Sequence, residues 1–296
     1  MEKKGFIKIG KYHVFPWTIS GLESCVVVRS DDLFVVFDMG YSHRETIMCK
    51  HVFISHGHMD HIGGLPQHNM KRGLFRLPGA TYFLPKHLVE KVSAVASLFH
   101  DIHGTDSENM LEEELHLVGV DPGETIEISP KFFAQPFQTH HRVKSQGYLI
   151  YKRNKELKPE YRGLEGREIG EKVKSGIDVY QITTSPEIAY TGDTTFEVFQ
   201  NLPHPDLLKV KLLITESTYI DLDPKTDSIA KARERGHIHV QEIIRNEEFF
   251  KDVGAICLTH FSDKYPPSYI DRTLSEILPS SLKDKVFYST IAKEKS

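Results

Sequence analysis

The segment HVFISHGHMDHIGG (51–64) constrains this 296-residue chain more than any other. An apolar, β-branched run ends at Ser55, and His56, His58, Asp60 and His61 follow within six residues. A turn at the exit of a strand can splay several side chains around one point, and imidazole and carboxylate are the expected ligands of zinc. Taken singly, each of these residues is more often a surface or hydrogen-bonded core residue. Together, at this spacing, they predict a metal cage. His56 and His58, at i and i+2, would face one ion, while Asp60 and His61 would serve a second beside it. Two ions roughly 3.5–4 Å apart can clamp a substrate oxygen and a nucleophile between them.

Four residues do not complete two ions, so further ligands are expected at later strand ends. QTHHRV supplies His140 and His141, YTGDTT supplies Asp193 and LTHFSD supplies His260, each directly after an apolar, strand-like run. A carboxylate can bridge two cations through its two oxygens, the role expected of Asp193. His260 and one of His140 or His141 would then fill a position on each ion. Spacing alone leaves the choice between His140 and His141 open.

Short β-branched and aromatic runs at 25–30, 33–38 and 51–55 are bounded by Gly, Asp or Ser and read as strands. Helical spacing of apolar residues follows over 65–75 and 85–99, and the alternation returns with strands at 188–193, 210–217 and 255–261 and helical stretches near 228–250. A sandwich with helices outside fits this order best. With no short internal repeat and no Pro/Ser-rich linker, the expectation is one domain over 1–296. Lys152–Lys174 differs: eight Lys/Arg stand against five Glu, with few apolar residues, which reads as a surface arm at about 152–176. A solvated mixed-charge loop is the plainer account of such a stretch.

Composition excludes more than it selects. No apolar run approaches the roughly 18–20 residues of a membrane span, so a soluble protein without membrane contact is expected. The opening MEKKGFIKIGKYHVF lacks an apolar core after its basic residues, which points to the cytosol or the nucleus and not to secretion. Cys25, Cys49 and Cys257 are odd in number and show no paired spacing, so they read as buried packing residues. The formal charge of −4 gives no whole-chain attraction to nucleic acid, and any such binding must come from a local patch.

On these motifs the chain resembles the metallo-β-lactamase superfamily, whose HxHxDH motif is matched by residues 56–61, and within it ribonuclease Z, especially the short plant-like form. The carriers are FISHGHMDHIGGLP (53–66), HRVKSQGY (141–148), TGDTT (191–195), ESTY (216–219), RGHIH (235–239) and THFS (259–262). The resemblance implies an α/β fold, the four-layer αββα sandwich. It implies two Zn2+ per chain, one held by His56, His58 and His141 and the other by Asp60, His61 and His260, with Asp193 bridging. His141 is selected over His140 because it precedes Gly147 of the GY pair by six residues. Asp38, in VFDMG, matches a residue that supports the metal loop, and His237 with Glu216 matches a proton donor and the carboxylate holding it. Three features depart from the bacterial pattern: the glycine-rich N-terminal motif is absent, the His-Ser-Thr signature reads His237-Ile238-His239, and the arm lacks a Gly-Pro element.

The implied activity is a zinc-dependent endoribonuclease that removes the 3′ trailer from precursor tRNA by phosphodiester hydrolysis, leaving a 3′-hydroxyl. Asp60 would orient the attacking water and take its proton, His237 or its neighbour His239 would protonate the departing oxygen, and the arm would grip tRNA phosphates. Lys71, Arg72 and Arg76 would approach the acceptor stem. A homodimer is expected on the resemblance alone. The alternative is another hydrolase of this fold acting on a small phosphodiester, thioester or lactone.

Overall fold

The computed structural model describes residues 5–103, 115–223 and 228–295. Two seven-stranded sheets make its frame. The first takes β1 (Ile7–Ile9), β2 (Tyr12–Ile19), β3 (Glu23–Arg29), β4 (Phe34–Phe37), β5 (His51–Phe53), β6 (Thr81–Pro85) and β7 (His116–Val120) in chain order. The second takes β8 (Ile126–Ser129), β9 (Phe132–Gln138), β10 (Gln146–Leu157), β11 (Tyr180–Tyr190), β12 (Leu212–Glu216), β13 (Ile256–Thr259) and β14 (Val286–Tyr288). Each sheet begins with three antiparallel pairings and ends with three parallel ones. The chain thus repeats one connectivity twice, although no short repeat is visible in its sequence.

Strand β3 shows why four layers form. Side chains alternate across a strand, and its run SCVVV is apolar on both faces because both are covered. Val26 and Val28 pack inward against Tyr148, Ile150, Ile188 and Ile214 of the second sheet. Cys25 and Val27 pack outward with Leu65 of the helix Leu65–Leu74 and Val92 of the helix Val89–His103. The second sheet mirrors this, with Leu149, Leu213 and Leu258 turned toward Ile243 and Leu274 of its own helices. The result is the αββα sandwich, and the three cysteines are buried in it. Among the described residues no helix is long and apolar enough to cross a membrane.

One hairpin leaves this frame. β10 and β11 stay paired out to Leu157↔Tyr180, whereas β9 ends against Lys152 and β12 reaches only Ile188–Tyr190. The two long strands therefore run on beyond both neighbours. They carry at their tip a short turn, Pro159–Tyr161, and the helix Gly166–Lys174.

The halves are also tied by a buried carboxylate. Glu187 on β11 accepts from Tyr12 Oη and from the ammonium groups of Lys11 and Lys211. Burial alone would raise its pKa, but these donors outweigh it and bring it to about 2 from the usual 4.5. A depressed carboxylate stabilises the fold above its unfolded pKa, and that stabilisation disappears as pH falls toward the folded value. Glu187→Gln should therefore cost roughly 1–3 kcal/mol at pH 7. In urea titrations the gap to the parent should narrow steadily between pH 5 and pH 2; a gap that stays constant with pH would contradict this role.

Candidate metal centre

The centre is assembled from loops leaving the ends of strands that face one another across the two sheets. Asp38 follows β4 directly in a left-handed conformation, φ 57°, which aspartate tolerates better than most residues. Its buried carboxylate accepts from Ser55 N at 2.7 Å, Ser55 Oγ at 2.8 Å, Tyr190 Oη at 2.5 Å and His61 Nδ1 at 2.7 Å. An ionised carboxylate only accepts, so these contacts dictate proton positions. His61 carries a proton on Nδ1 and turns Nε2 inward. Ser55 spends its one hydroxyl proton on Asp38 and accepts at 2.9 Å from His56 Nδ1, which leaves His56 Nε2 bare.

Three imidazoles converge from this arrangement. His56 Nε2 lies 3.0 Å from His58 Nδ1, and His141 Nε2 lies 3.3 Å from the same atom. His141 Nδ1 donates to Gly236 O at 2.7 Å, so its Nε2 is bare as well. Gly236 is required there: φ is +81°, and a Cβ would stand 2.6 Å from the His141 ring. Burial pushes His56, His58 and His141 below the usual histidine pKa, which keeps them neutral. His140 turns away, its Nδ1 3.7 Å from Glu197. The open choice at 140/141 thus resolves to His141 in the cluster.

A second group, Asp60, His61 and His260, brings its ligand atoms within 4.8 Å of one another. Asp60 Oδ2 accepts from Gly21 N at 2.9 Å and lies 3.4 Å from His260 Nε2. Asp193, in the loop after β11, stands between the groups. Its Oδ2 is 3.4 Å from His61 Nε2, 3.9 Å from His56 Nε2 and 4.0 Å from His141 Nε2, and its Oδ1 is 3.3 Å from His260 Nδ1.

This donor set fits cations. His61 Nε2 is buried without a hydrogen-bond partner although two carboxylate oxygens lie near it. Burial would lower the His61 pKa, but Asp193 and Asp38 raise it well above the usual value, so positive charge is favoured beside these carboxylates. The bare Nε2 atoms of His56 and His141 both point at His58 Nδ1, and imidazole nitrogens converging in this way are the donor set expected of zinc.

Beside the cage stands a pair built differently. Glu216, at the end of β12, takes Thr194 N at 2.8 Å and His237 Nδ1 at 2.9 Å on Oε1; Oε2 takes Thr218 Oγ1 at 2.5 Å and Ile238 N at 3.2 Å. Burial lowers the His237 pKa, yet Glu216 and Asp193 bring it up to about 9. His237 also falls within ligand range of Asp193 and His260, but the nitrogen nearest Asp193 is the one engaged by Glu216. His239 is accounted for elsewhere: Nδ1 caps the helix Val240–Arg245 by accepting from Gln241 N at 3.1 Å, and Nε2 donates to Asp221 O at 3.0 Å.

One expectation is corrected. Arg72 does not reach toward a substrate; it is 1% exposed, and its guanidinium donates to the carbonyls of Ile47, Cys49 and Pro78. The helix Leu65–Leu74 turns that side chain inward, a direction charge alone does not reveal. Lys71 donates to Ser42 O and Gln67 Oε1, and Arg76 is exposed. The backbone groups of Gly21 and Gly236 carry no side-chain signal in the sequence, and within ESTY nothing marks Thr218 as a contact of the centre.

No family model matches the chain. Curated relatives do. tRNase Z TRZ1 of Arabidopsis thaliana is 38% identical over 98% of this chain and 99% of its own length. The chloroplastic tRNase Z TRZ2 of the same plant is 37% identical over 90% of this chain and 71% of its own. A nuclear ribonuclease Z of Triticum aestivum is 36% identical over 62% of this chain and 99% of its own. Among solved structures, the short form of human tRNase Z superposes with a TM-score of 0.56 at 18% identity, covering 93% of this chain and 95% of that one. The metallo-β-lactamase fold protein YhfI of Bacillus subtilis gives 0.58 at 15% identity, with 93% and 95% covered. With near-complete coverage at 38% identity and the HxHxDH loop, Asp193, Glu216 and His260 gathered at one centre, the chain belongs to the tRNase Z family of the metallo-β-lactamase fold.

Proposed function

We propose that the chain is a metal-dependent endoribonuclease that removes the 3′ trailer of precursor tRNA, with two zinc ions in its centre. His56, His58 and His141 would hold one ion and Asp60, His61 and His260 the other, with Asp193 bridging. The observation that carries the reading is the Glu216–His237 pair, a buried carboxylate holding a half-buried imidazole, beside a seven-residue cage in a chain similar to a tRNase Z over 98% of its length. Bound zinc supplies Lewis acidity, which neutralises a phosphoryl oxygen and makes water acidic enough to attack near neutral pH.

The chain's own residues supply the proton traffic. Gly21 N holds Asp60 Oδ2, which fixes the carboxylate that orients the attacking water and takes its proton. Glu216 holds His237 by Nδ1, so Nε2 is the nitrogen that presents a proton to the departing 3′ oxygen. The raised pKa keeps His237 charged until that proton is needed, although cations beside Asp193 would offset part of the increase. His239 has no comparable freedom.

The β10–β11 hairpin is the proposed tRNA grip. Several of its cations are already paired: Arg153 with Glu127, Lys158 with Asp178, Arg162 with Glu156 and Arg167 with Glu171. Lys155 and Lys172 lie over the rings of Tyr180 and Tyr161, where aromatic faces hold an ammonium without cancelling its charge. A homodimer belongs to the same proposal. It is supported by Val95, Leu98, Phe99 and Ile102, which recur at helical spacing along the helix Val89–His103 and are 49–80% exposed. A cytosolic or nuclear location is proposed alongside, next to relatives named as chloroplastic and as nuclear.

His237→Ala tests the acid. It should retain both metals yet cleave precursor tRNA roughly 10²- to 10⁴-fold more slowly. The defect should shrink on a nitrophenyl phosphodiester, whose leaving group departs without a proton; equal losses on both substrates would sink the assignment. Replacing residues 158–178 by a short Gly/Ser linker tests the grip. Cleavage of tRNA should weaken about tenfold or more, with a flatter salt dependence, while the small ester is hydrolysed as before. Equal loss on both substrates would reject the arm as an RNA contact. Light scattering should give twice the 33.9 kDa chain mass; an active monomer would remove the dimer.

A further inference from the structure

Thr218 lies in the loop after β12, is 1% exposed, and its hydroxyl reaches both the acid pair and the cage. Its Oγ1 is 2.5 Å from Glu216 Oε2, 3.0 Å from His260 Nδ1 and 3.3 Å from His237 Nδ1. A hydroxyl has one proton and two lone pairs. The shortest contact, to a carboxylate that can only accept, takes the proton. Toward His260 the oxygen must then accept.

We propose that Thr218 is a positioning residue: its hydroxyl, committed as a donor to Glu216, fixes His260 as the Nδ1–H tautomer and so presents a bare Nε2 to the metal on the Asp60 side. This rests on the reading of His260 as a metal ligand. Asp193 Oδ1, 3.3 Å from His260 Nδ1, is a second acceptor for the same proton. Were Asp193 to hold metal with its carboxylate, Thr218 would be the remaining acceptor for that proton. Backbone geometry supports the division of labour. His260 sits at φ 62° with its N–H on Thr18 Oγ1 at 2.9 Å, so the main chain is anchored to β2 while Thr218 sets the ring.

The hydroxyl also joins two functions. Glu216 holds His237 with one oxygen and Thr218 with the other, so the carboxylate that positions the proton donor also orients, through one intervening atom, a ligand of the metal. Groups that fix the orientation of metal-binding imidazoles typically influence affinity 10- to 100-fold. Thr218 should act on one ion of the two, since the described hydrogen bonds of His56, His58 and His141 do not pass through it.

The test is zinc titration against a graded chelator, read as metal per chain, on the parent, Thr218→Val, Thr218→Ser and His260→Ala. The parent should hold two ions. Thr218→Val should weaken one of them about 10- to 100-fold and leave the other unchanged, and Thr218→Ser, which restores the hydroxyl, should return within about threefold of the parent. Parental affinity for both ions in Thr218→Val, or a serine variant as weak as the valine one, overturns the proposal. If His260→Ala also keeps both ions at parental affinity, it is the ligand assignment that has failed and not the role of Thr218 alone. Should the valine variant not fold, the parent still decides. In zinc-loaded, ¹⁵N-histidine-labelled protein, long-range ¹H–¹⁵N spectra should show His260 protonated at Nδ1 and bound to metal through Nε2, and metal on Nδ1 would overturn the proposal.

Discussion

The carboxylate of Asp38 fixes more of this centre than any side chain that would touch a metal. It joins the end of β4, the exit of β5 through Ser55, the turn carrying His61 and the end of β11 through Tyr190. Three of those places belong to the first sheet and its loops and one to the second sheet, so this one residue holds the halves in register where their loops meet. Its effect travels by proton bookkeeping along short chains of atoms. Through His61 directly, and through Ser55 to His56, it decides which ring nitrogens are bare. A buried carboxylate left unpaired would cost several kcal/mol. Here two of the contacts that satisfy it, from His61 and the Ser55 hydroxyl, also orient candidate ligands.

The same economy of position follows from the doubled topology. Asp38 follows the fourth strand of the first sheet, and Asp193 sits in the loop after the fourth strand of the second. The His56–His61 loop leaves the fifth strand of one, and Glu216 ends the fifth strand of the other. The parallel strands of each half therefore deliver their loops to a shared edge, where ligands in open parallel sheets are expected to bind. Asp60, Asp193 and Glu216 are all buried beside it. Gathering that much negative charge is unfavourable unless positive charge is present, and His237 supplies one unit while the cage leaves room for more.

Much of this was legible in the sequence because the strongest signals are local. Apolar runs such as CVVV mark strands covered on both faces, and six consecutive positions from His56 to His61 carry four side chains of a kind that binds metal. A sandwich with helices outside and the alternation of strand and helix follow from that pattern, and the four-layer αββα order from the family resemblance. What local pattern could not provide was direction. Lys71, Arg72 and Arg76 read as one basic cluster, yet the helix turns Arg72 into the core. His140 and His141 are chemically equal neighbours until the backbone points one at Glu197 and the other at His58. His237 and His239 are separated by the same means, since one faces Glu216 and the other caps a helix. The doubled topology was hidden because the halves share connectivity without any short shared motif.

The central claim is that this centre cuts a phosphodiester of precursor tRNA with the proton arriving on the 3′ oxygen. The most direct measurement incubates the purified, zinc-loaded chain with a 3′-extended tRNA and maps both new ends. The account predicts a single cut at the base of the trailer, a 3′-hydroxyl on the tRNA and a 5′-phosphate on the released fragment, lost on chelation and recovered with added metal. A 2′,3′-cyclic phosphate at the cut, or an intact tRNA beside rapid hydrolysis of a thioester or lactone, would contradict it.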